Sequence, residues 1–304
     1  MDVAECVVRT DIVPNDRYDG LWESIVVDPA IKDRLGRSVA LGLNLRSNLP
    51  FHTTALHGLA LLTGPPGTGK TTLARGLAQQ VAGLLPESKA LYIEVNPHGL
   101  MSAEHGQSQQ RVFKLLTETI PNLATGGIPT IVLLDEVESM AVARGAASLK
   151  ANPADVHRAT DAVLTSLDEI AVSAPHIFVV ATSNYTEVLD DAFISRADLV
   201  LEVPLPGKHA VHQILSSTLM GFSTSYPSLA DLADVARLAG VAVLMVGEDG
   251  RGLRKMVSAA MLNRAETTID PGTLTIDDLL ATARRHAAQR EVKVPRPAPH
   301  AEEA

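Results

Sequence analysis

Short apolar runs alternate with longer amphipathic segments along the chain up to residue 205. The runs that predict strands are Leu59–Leu62, Leu91–Val95, Ile131–Leu134, Ile177–Ala181 and Leu199–Val203. Continuous apolar runs such as the third and fourth are typical of central parallel strands that are buried on both faces. The segments between the runs have apolar residues at helical spacing: Asp28–Asn48, Thr72–Val81, Gln107–Ile120 and Ala154–Ile170. The alternation predicts an α/β fold with a doubly wound parallel sheet.

The pattern changes at Pro204-Leu205-Pro206-Gly207, a sequence that interrupts regular structure. Beyond it the periodicity is helical only, over residues 210–220, 229–238, 252–265 and 276–286. We therefore predict a large α/β domain over residues 18–205 and a small helical domain over residues 206–287. Residues 1–28 are expected to be irregular or extended, with a short strand near Ile25–Val27, and residues 1–17 form the lead-in that precedes the large domain. The Pro-rich end, residues 288–304, has the composition of a disordered tail.

One loop follows the first predicted strand and precedes a predicted helix. It fits the pattern G-x-x-x-x-G-K-[ST] at every fixed position. Glycines allow backbone N–H groups to close around phosphate oxygens, a lysine reaches the β- and γ-phosphates, and a threonine hydroxyl suits Mg²⁺. The nucleotide-binding candidates from this loop are Gly64, Pro65, Pro66, Gly67, Thr68, Gly69, Lys70, Thr71 and Thr72, with Thr71 also a metal ligand.

Hydrolysis of a bound nucleotide needs groups besides this loop. Asp135 and Glu136 end the strand Ile131–Leu134, where one carboxylate can hold Mg²⁺ and the next can polarise the attacking water. The alternative is that the two acidic residues cap a helix. Asn184 ends the following strand, where its amide can orient water beside the γ-phosphate, although a plain turn asparagine would also occur there.

Three arginines are further candidates. Arg196, in Ile194-Ser195-Arg196-Ala197-Asp198, can act as an arginine finger on a neighbouring subunit's nucleotide, or can be a surface residue paired with Asp191 or Asp198. Arg251 and Arg254 begin a helix of the small domain, and one of them can contact phosphate. The alternative for this pair is a solvated basic helix end.

Composition narrows the function classes. The net charge of −9 argues against nucleic-acid binding, and the single cysteine, Cys6, suits a reducing compartment. No apolar stretch approaches the roughly 20 residues of a membrane span, and no signal peptide is visible. The cytoplasm is therefore the expected location.

Together these residues resemble an AAA+ ATPase, with Walker A at Gly64–Thr71, Walker B at Ile131–Glu136, sensor 1 at Asn184, the arginine finger at Arg196 and sensor 2 at Arg251. Three stretches are similar to the pachytene-checkpoint branch, which remodels HORMA-domain proteins: Tyr18–Val26, Leu134–Met140 and Ala181–Asp198. The resemblance also places Val26 among the nucleotide-binding residues. It implies an AAA+ P-loop domain followed by a small helical lid domain.

The resemblance further implies a homohexameric ring that binds ATP and Mg²⁺ and pulls a peptide into a central pore. The implied substrate is a closed HORMA-domain protein, possibly bound to a nucleotidyltransferase, with no nucleic acid and no membrane involved. Bacterial members resemble negative regulators of anti-phage cyclic-oligonucleotide signalling. Catalytic roles then fall to Lys70, Glu136, Asn184, Arg196 and Arg251, with Thr71 and Asp135 as the metal ligands.

Two features depart from the family pattern. The family-like segment begins near Tyr18, so the substrate-recruiting domain that precedes the core in eukaryotic relatives is not expected here. The first pore loop is expected at Ala103, Glu104, His105 and Gly106, where the family usually has bulky aromatic residues. A second pore loop is expected over residues 145–155. The alternative for the first of these loops is an ordinary polar surface loop.

Two other functions stay open at the level of sequence. A DNA-associated ATPase of the clamp-loader or helicase-loader type would share the nucleotide site, but the acidic charge counts against it. A nucleotide-gated scaffold without hydrolysis would share the fold. The presence of Lys70, Asp135, Glu136 and Arg196 argues against a scaffold.

Overall fold

A computed structural model describes residues 3–100, 107–143, 153–233 and 238–293 of the chain. It divides into two compact units, Met1–Pro204 and Leu205–Ala304. Within the described residues no helix is long and apolar enough to cross a membrane.

The first unit is built on a mixed sheet. Its strands in the described residues are β1 (Val7–Val13), β2 (Leu59–Thr63), β3 (Ala90–Val95), β4 (Thr130–Leu134), β5 (Ile177–Thr182) and β6 (Leu199–Glu202). Their order across the sheet is β1-β3-β4-β5-β2-β6. The edge strand β1 runs antiparallel to β3, and all other pairs are parallel. The predicted α/β fold with a doubly wound parallel sheet is confirmed, with the difference that the edge strand β1 is antiparallel.

Helices cover both faces of this sheet. They are α1 (Leu21–Ser24), α2 (Pro29–Asn48), α3 (Phe51–Thr54), α4 (Lys70–Leu84), α5 (Gln107–Lys114), α6 (Ile120–Leu123), α7 (Pro153–Ser173) and α8 (Asp191–Ser195). A π-helical turn, Leu115–Thr119, joins α5 to α6. The interval predicted as one helix, Gln107–Ile120, therefore consists of three consecutive helical segments.

The apolar runs supply two cores because alternate strand residues point to opposite faces. Leu59 and Leu61 of β2 lie in one core with residues of α5 and α7, whereas Ala60 and Leu62 lie in the other with residues of α2 and α4. Burial on both faces explains why the central strands read as uninterrupted apolar sequence.

The prediction of a strand near Ile25–Val27 is wrong. These residues form an irregular segment between α1 and α2. Ile25 is buried because its side chain packs against Gly69 of the P-loop, so its apolar character reflects loop packing rather than sheet pairing. Strand β1 instead lies inside the predicted lead-in of residues 1–17, where the β-branched run from Val7 to Val13 was its only sequence signal.

The second unit is helical in its described residues. Its helices are α9 (Lys208–Ser223), α10 (Leu229–Ala233), α11 (Leu238–Leu244), α12 (Gly250–Ala260), α13 (Ala265–Ile269) and α14 (Ile276–Lys293). Helix α14 extends six residues into the predicted disordered tail, from position 288 to Lys293. The run Arg284 to Lys293 has no proline and consists largely of good helix formers, which allows the helix to continue.

Candidate functional site

The loop between β2 and α4 has a backbone conformation that its glycines make possible. Gly64, Gly67 and Gly69 have φ angles of 132°, 79° and 95°, a region that residues with a Cβ rarely adopt. A Cβ on Gly64 would also lie 2.3 Å from the carbonyl oxygen of Val203. The loop therefore needs glycine at these positions both for its dihedral angles and for the close approach of the chain after β6.

Lys70 is the first residue of α4 and is buried within this loop. Its Nζ donates hydrogen bonds to the carbonyl oxygens of Gly64, at 2.7 Å, and of Pro65, at 2.8 Å. Burial lowers the pKa of the Lys70 ammonium, and nearby carboxylates, that of Glu138 foremost, oppose this shift. The positive charge is thus held inside the loop, where it can neutralise phosphate oxygens together with the N-terminus of α4.

Asp135 follows β4 and accepts two hydroxyl hydrogen bonds at a single oxygen. Thr71 donates to Asp135 Oδ1 at 2.7 Å, and Thr182 donates to the same atom at 2.6 Å. The register of β4 and β5 pairs Leu134 with Ala181, which makes Asp135 and Thr182 the next residues on neighbouring strands. The structure brings the two predicted metal ligands, Thr71 and Asp135, into contact.

Thr182 was not among the candidate residues from sequence. Its Oγ1 also accepts a hydrogen bond from the backbone N–H of Glu136 at 3.0 Å, so it contacts both acidic residues of the site. A hydroxyl residue at the last position of an apolar strand, next to the strand with Asp135, was the available signal, since sites of open α/β sheets form at the carboxyl ends of strands.

Glu136 is exposed and adopts a left-handed backbone conformation, with φ 54° and ψ 53°. Such a conformation is uncommon for a residue other than glycine or asparagine, costs about 1–3 kcal/mol and is concentrated at functional sites. The side-chain amide nitrogen of Asn184, Nδ2, lies 3.5 Å from Glu136 Oε1. The structure therefore places the predicted base and the predicted water-orienting amide next to each other, at the ends of β4 and β5.

Glu138 is a third acidic residue near the site, and it lies within the stretch Leu134–Met140 that resembles the pachytene-checkpoint branch. Its Oε1 accepts a hydrogen bond from the backbone N–H of Asn184 at 3.1 Å. The third acidic position in Asp135-Glu136-Val137-Glu138 was visible in the sequence, but its contact depends on the fold.

Arg196 directly follows α8 and forms an ion pair within its own chain. Its Nε and Nη2 each donate to the carboxylate of Asp168, both at 2.7 Å, and His57 Nε2 lies 3.3 Å from the same carboxylate. The guanidinium holds the pKa of Asp168 below its ordinary value. The partner is therefore neither Asp191 nor Asp198, the two alternatives from sequence. The Asp198 carboxylate instead accepts hydrogen bonds from the backbone N–H groups of residues 57–59.

Arg251 and Arg254 lie at the N-terminus of α12 in the second unit, three residues apart and so on the same side of the helix. Asp249 caps this helix by accepting from the backbone N–H groups of Arg251 and Gly252 at 2.8 and 2.9 Å. Arg251 is exposed, whereas burial lowers the pKa of the half-buried Arg254. Both stay predictions as phosphate contacts.

The remaining candidates differ in what the structure describes. Val26 is half-buried and follows Ile25, whose side chain packs on Gly69 of the P-loop. Thr72 is half-buried in the first turn of α4. The first predicted pore loop, Ala103 to Gly106, lies outside the described residues, as does the second up to position 152.

The ligand oxygens of this site suit an Mg²⁺ ion that is also bound by phosphate, rather than a metal ion bound by protein side chains alone. In the part of the chain that the structure describes, no group of three or more His, Cys, Asp or Glu side chains is arranged for a metal ion. Asp135 and Thr71, with their oxygens 2.7 Å apart, offer the one or two hard ligands that Mg²⁺ takes from protein when waters and phosphates complete its shell.

Comparisons with known proteins agree with this geometry. The family described as "ATPase family associated with various cellular activities (AAA)" matches residues 60–205. The chain is 44% identical over 278 residues to CD-NTase-associated protein 6 of Pseudomonas aeruginosa, covering 91% of both chains. It is 33% identical over 302 residues to a pachytene checkpoint protein 2 homologue of Danio rerio, covering 92% of this chain and 70% of the relative.

A solved structure shares the fold across nearly the whole chain. A chain of an E. coli HORMA:CdnC:Trip13 complex superposes with a TM-score of 0.75, covers 98% of both chains and is 19% identical. At this level of identity the likeness concerns the fold.

Proposed function

The chain belongs to the family of AAA ATPases that includes CD-NTase-associated protein 6 and the pachytene checkpoint protein 2 homologues, and on this premise we propose that it uses ATP hydrolysis to open HORMA-domain proteins. ATP and Mg²⁺ are its substrate and cofactor. By disassembling HORMA complexes it would act as a negative regulator of anti-phage cyclic-oligonucleotide signalling, in a homohexamer.

The convergence of five side chains at the carboxyl ends of β2, β4 and β5 carries the hydrolytic part of the proposal: Lys70, Thr71, Asp135, Glu136 and Asn184. Lys70 is held inside the glycine loop, where it neutralises β- and γ-phosphate charge. Glu136 is the base that accepts a proton from the attacking water, and the Asn184 amide orients that water. Because phosphoryl transfer depends mostly on positioning and charge stabilisation, these roles account for catalysis.

Mg²⁺ would be held by Asp135 and Thr71, and when bound it neutralises charge between the phosphates. The Asp135 carboxylate is pre-oriented for this role because two hydroxyl groups donate to one of its oxygens. Arg196 is assigned as the finger that stabilises transition-state charge in the neighbouring subunit. To do so it must exchange its ion pair with Asp168 for a phosphate, which links turnover to assembly.

The 44% identity to CD-NTase-associated protein 6, over 91% of each chain, supports the choice of substrate. That relative is named for its association with a CD-NTase. The E. coli structural neighbour, named Trip13, was solved in complex with a HORMA protein and CdnC. A HORMA-domain protein, with or without its nucleotidyltransferase, is therefore the first substrate to test.

The experiment measures the mass of Glu136→Gln by light scattering in the presence of ATP, with and without a HORMA protein bound to its closure peptide. Glu136→Gln should retain ATP and hold the ring together, because the base is lost while the phosphate contacts remain. Lys70→Ala is the matched control, and it should not bind nucleotide.

ATP-dependent capture of the HORMA protein by a hexamer would support the whole proposal. A hexamer that ignores the HORMA protein would retain the ATPase and remove the substrate assignment. If Glu136→Gln hydrolyses ATP at the wild-type rate, the assignment of the base is wrong.

A further inference from the structure

Glu138 has a fixed position beside the nucleotide site and no role in the steps above. It lies in a single helical turn, Val137–Ser139, directly after Asp135 and Glu136. Val137 before it and Met140 after it are both fully buried in the core under the sheet. Packing of these two neighbours fixes the backbone position of Glu138, and with it the point from which the side chain extends.

This side chain joins two segments that are far apart in sequence. Glu138 Oε1 accepts the backbone N–H of Asn184 at 3.1 Å, across 46 residues. Asn184 follows β5 in a turn in which Ser183 Oγ contacts the backbone of Tyr185. The hydrogen bond from Asn184 to Glu138 therefore ties this turn to the segment that carries Glu136.

The second carboxylate oxygen strengthens the case that Glu138 belongs to the site. Oε2 is buried, and no donor among the described residues contacts it. A buried carboxylate oxygen without a donor is costly and asks for an explanation. The charge of Glu138 also acts on Lys70 of the P-loop, as do the charges of Asp135 and Glu136.

We propose that Glu138 is a positioning residue for hydrolysis, which acts by holding the turn of Asn184 so that the Asn184 amide meets the Glu136 carboxylate. The inference rests on the proposed function, because it assumes that Asn184 orients the attacking water. In this role Glu138 acts only through Asn184. Its loss would displace an amide that now lies 3.5 Å from Glu136 Oε1.

Two variants of nearly the same shape test the hydrogen bond. Glu138→Gln keeps an acceptor oxygen for the Asn184 N–H, whereas Glu138→Met fills the same space without an acceptor. We expect Glu138→Met to lower kcat by about tenfold or more, the equivalent of one hydrogen bond to a charged group, and Glu138→Gln to stay within about threefold of wild type. The affinity for a fluorescent ATP analogue should change by less than about threefold in both, since the phosphate contacts remain.

Glu187→Gln is the matched control because Glu187 is an exposed acidic residue just after the same turn. It should leave kcat unchanged. A double variant, Glu138→Met with Asn184→Ala, separates a positioning role from an independent one. If Glu138 acts through Asn184, adding Glu138→Met to Asn184→Ala should cause no further loss of kcat.

The outcomes separate this inference from the proposed function. If Asn184→Ala leaves kcat unchanged, the role of Asn184 in the proposed function is wrong. If Asn184→Ala lowers kcat but Glu138→Met does not, only the inference on Glu138 is wrong. Equal losses in Glu138→Gln and Glu138→Met, or additive losses in the double variant, would also overturn it, because the charge or the fold would then be responsible.

Discussion

Replacing Thr182 by valine should slow ATP hydrolysis more than it harms folding. The substitution keeps the shape of a side chain that is 1% exposed and removes only its hydroxyl group. Two hydrogen bonds are lost: the donor to Asp135 Oδ1 at 2.6 Å and the acceptor for the Glu136 N–H at 3.0 Å. Both acidic residues of the site lose a contact at once.

The magnitude follows from these two bonds. A hydrogen bond to a charged group contributes about 1.5–3 kcal/mol. The loss at the Glu136 N–H is smaller because that residue is exposed and water can take the place of the hydroxyl. If the full free energy of the bond to Asp135 is lost from the transition state, kcat should fall about 10- to 150-fold, since each 1.4 kcal/mol of activation free energy changes the rate about tenfold. The Mg²⁺ concentration for half-maximal rate should rise, since Asp135 is less well oriented.

The assay is steady-state ATP turnover at several Mg²⁺ concentrations, paired with urea unfolding. Thr130→Val is the matched control, because Thr130 is a fully buried threonine at the opposite end of β4 whose hydroxyl donates to the Ile128 carbonyl at 2.8 Å. Both variants should lower the urea midpoint, but only Thr182→Val should lower kcat. Thr182→Ser should restore turnover. An unchanged kcat in Thr182→Val, or no recovery in Thr182→Ser, would refute the reasoning.

Three further predictions concern the ion pairs. Arg196→Ala should lower kcat about 10³-fold or more while ATP affinity stays the same. Arg196→Lys should not restore kcat, because an ammonium cannot form the bidentate contact. Normal turnover by a purified Arg196→Ala hexamer would contradict the role of Arg196 as the finger. Arg75→Ala should lower the free energy of unfolding by about 3 kcal/mol in urea titrations, because it removes the ion-pair partner of the buried Glu94 carboxylate and leaves it with the Tyr92 hydroxyl. Arg37→Ala, from an exposed pair, should cost less than about 1 kcal/mol. Burial raises the pKa of Glu94, but Arg75, together with the Tyr92 hydroxyl and Arg9, leaves that pKa below the ordinary 4.5. The contribution of the Arg75–Glu94 pair is therefore full above pH 4.5 and is lost as the pH falls through the lower folded pKa; an acid unfolding curve of Arg75→Ala as steep as that of wild type would argue against this.

Local sequence was enough for the central strands and for the glycine loop. Uninterrupted apolar runs predicted β2, β4 and β5, because a strand buried on both faces is apolar at most of its positions. The same reasoning failed at Ile25–Val27, where an apolar run packs against the P-loop outside the sheet. Periodicity reports burial, and it cannot tell whether a short buried segment has a strand partner.

Residue types and their spacing specify which chemical groups the site contains: a glycine loop with Lys70 and Thr71, two consecutive acidic residues at Asp135 and Glu136, and Asn184 at a strand end. How these groups are held depends on the fold. Thr182 contacts Asp135 because of the register between β4 and β5, Glu138 reaches Asn184 across 46 residues, and Arg196 pairs with Asp168 rather than with a neighbour in sequence. Local patterns determine strands, turns and residue types, whereas hydrogen bonds between distant segments depend on how the strands align in the folded sheet.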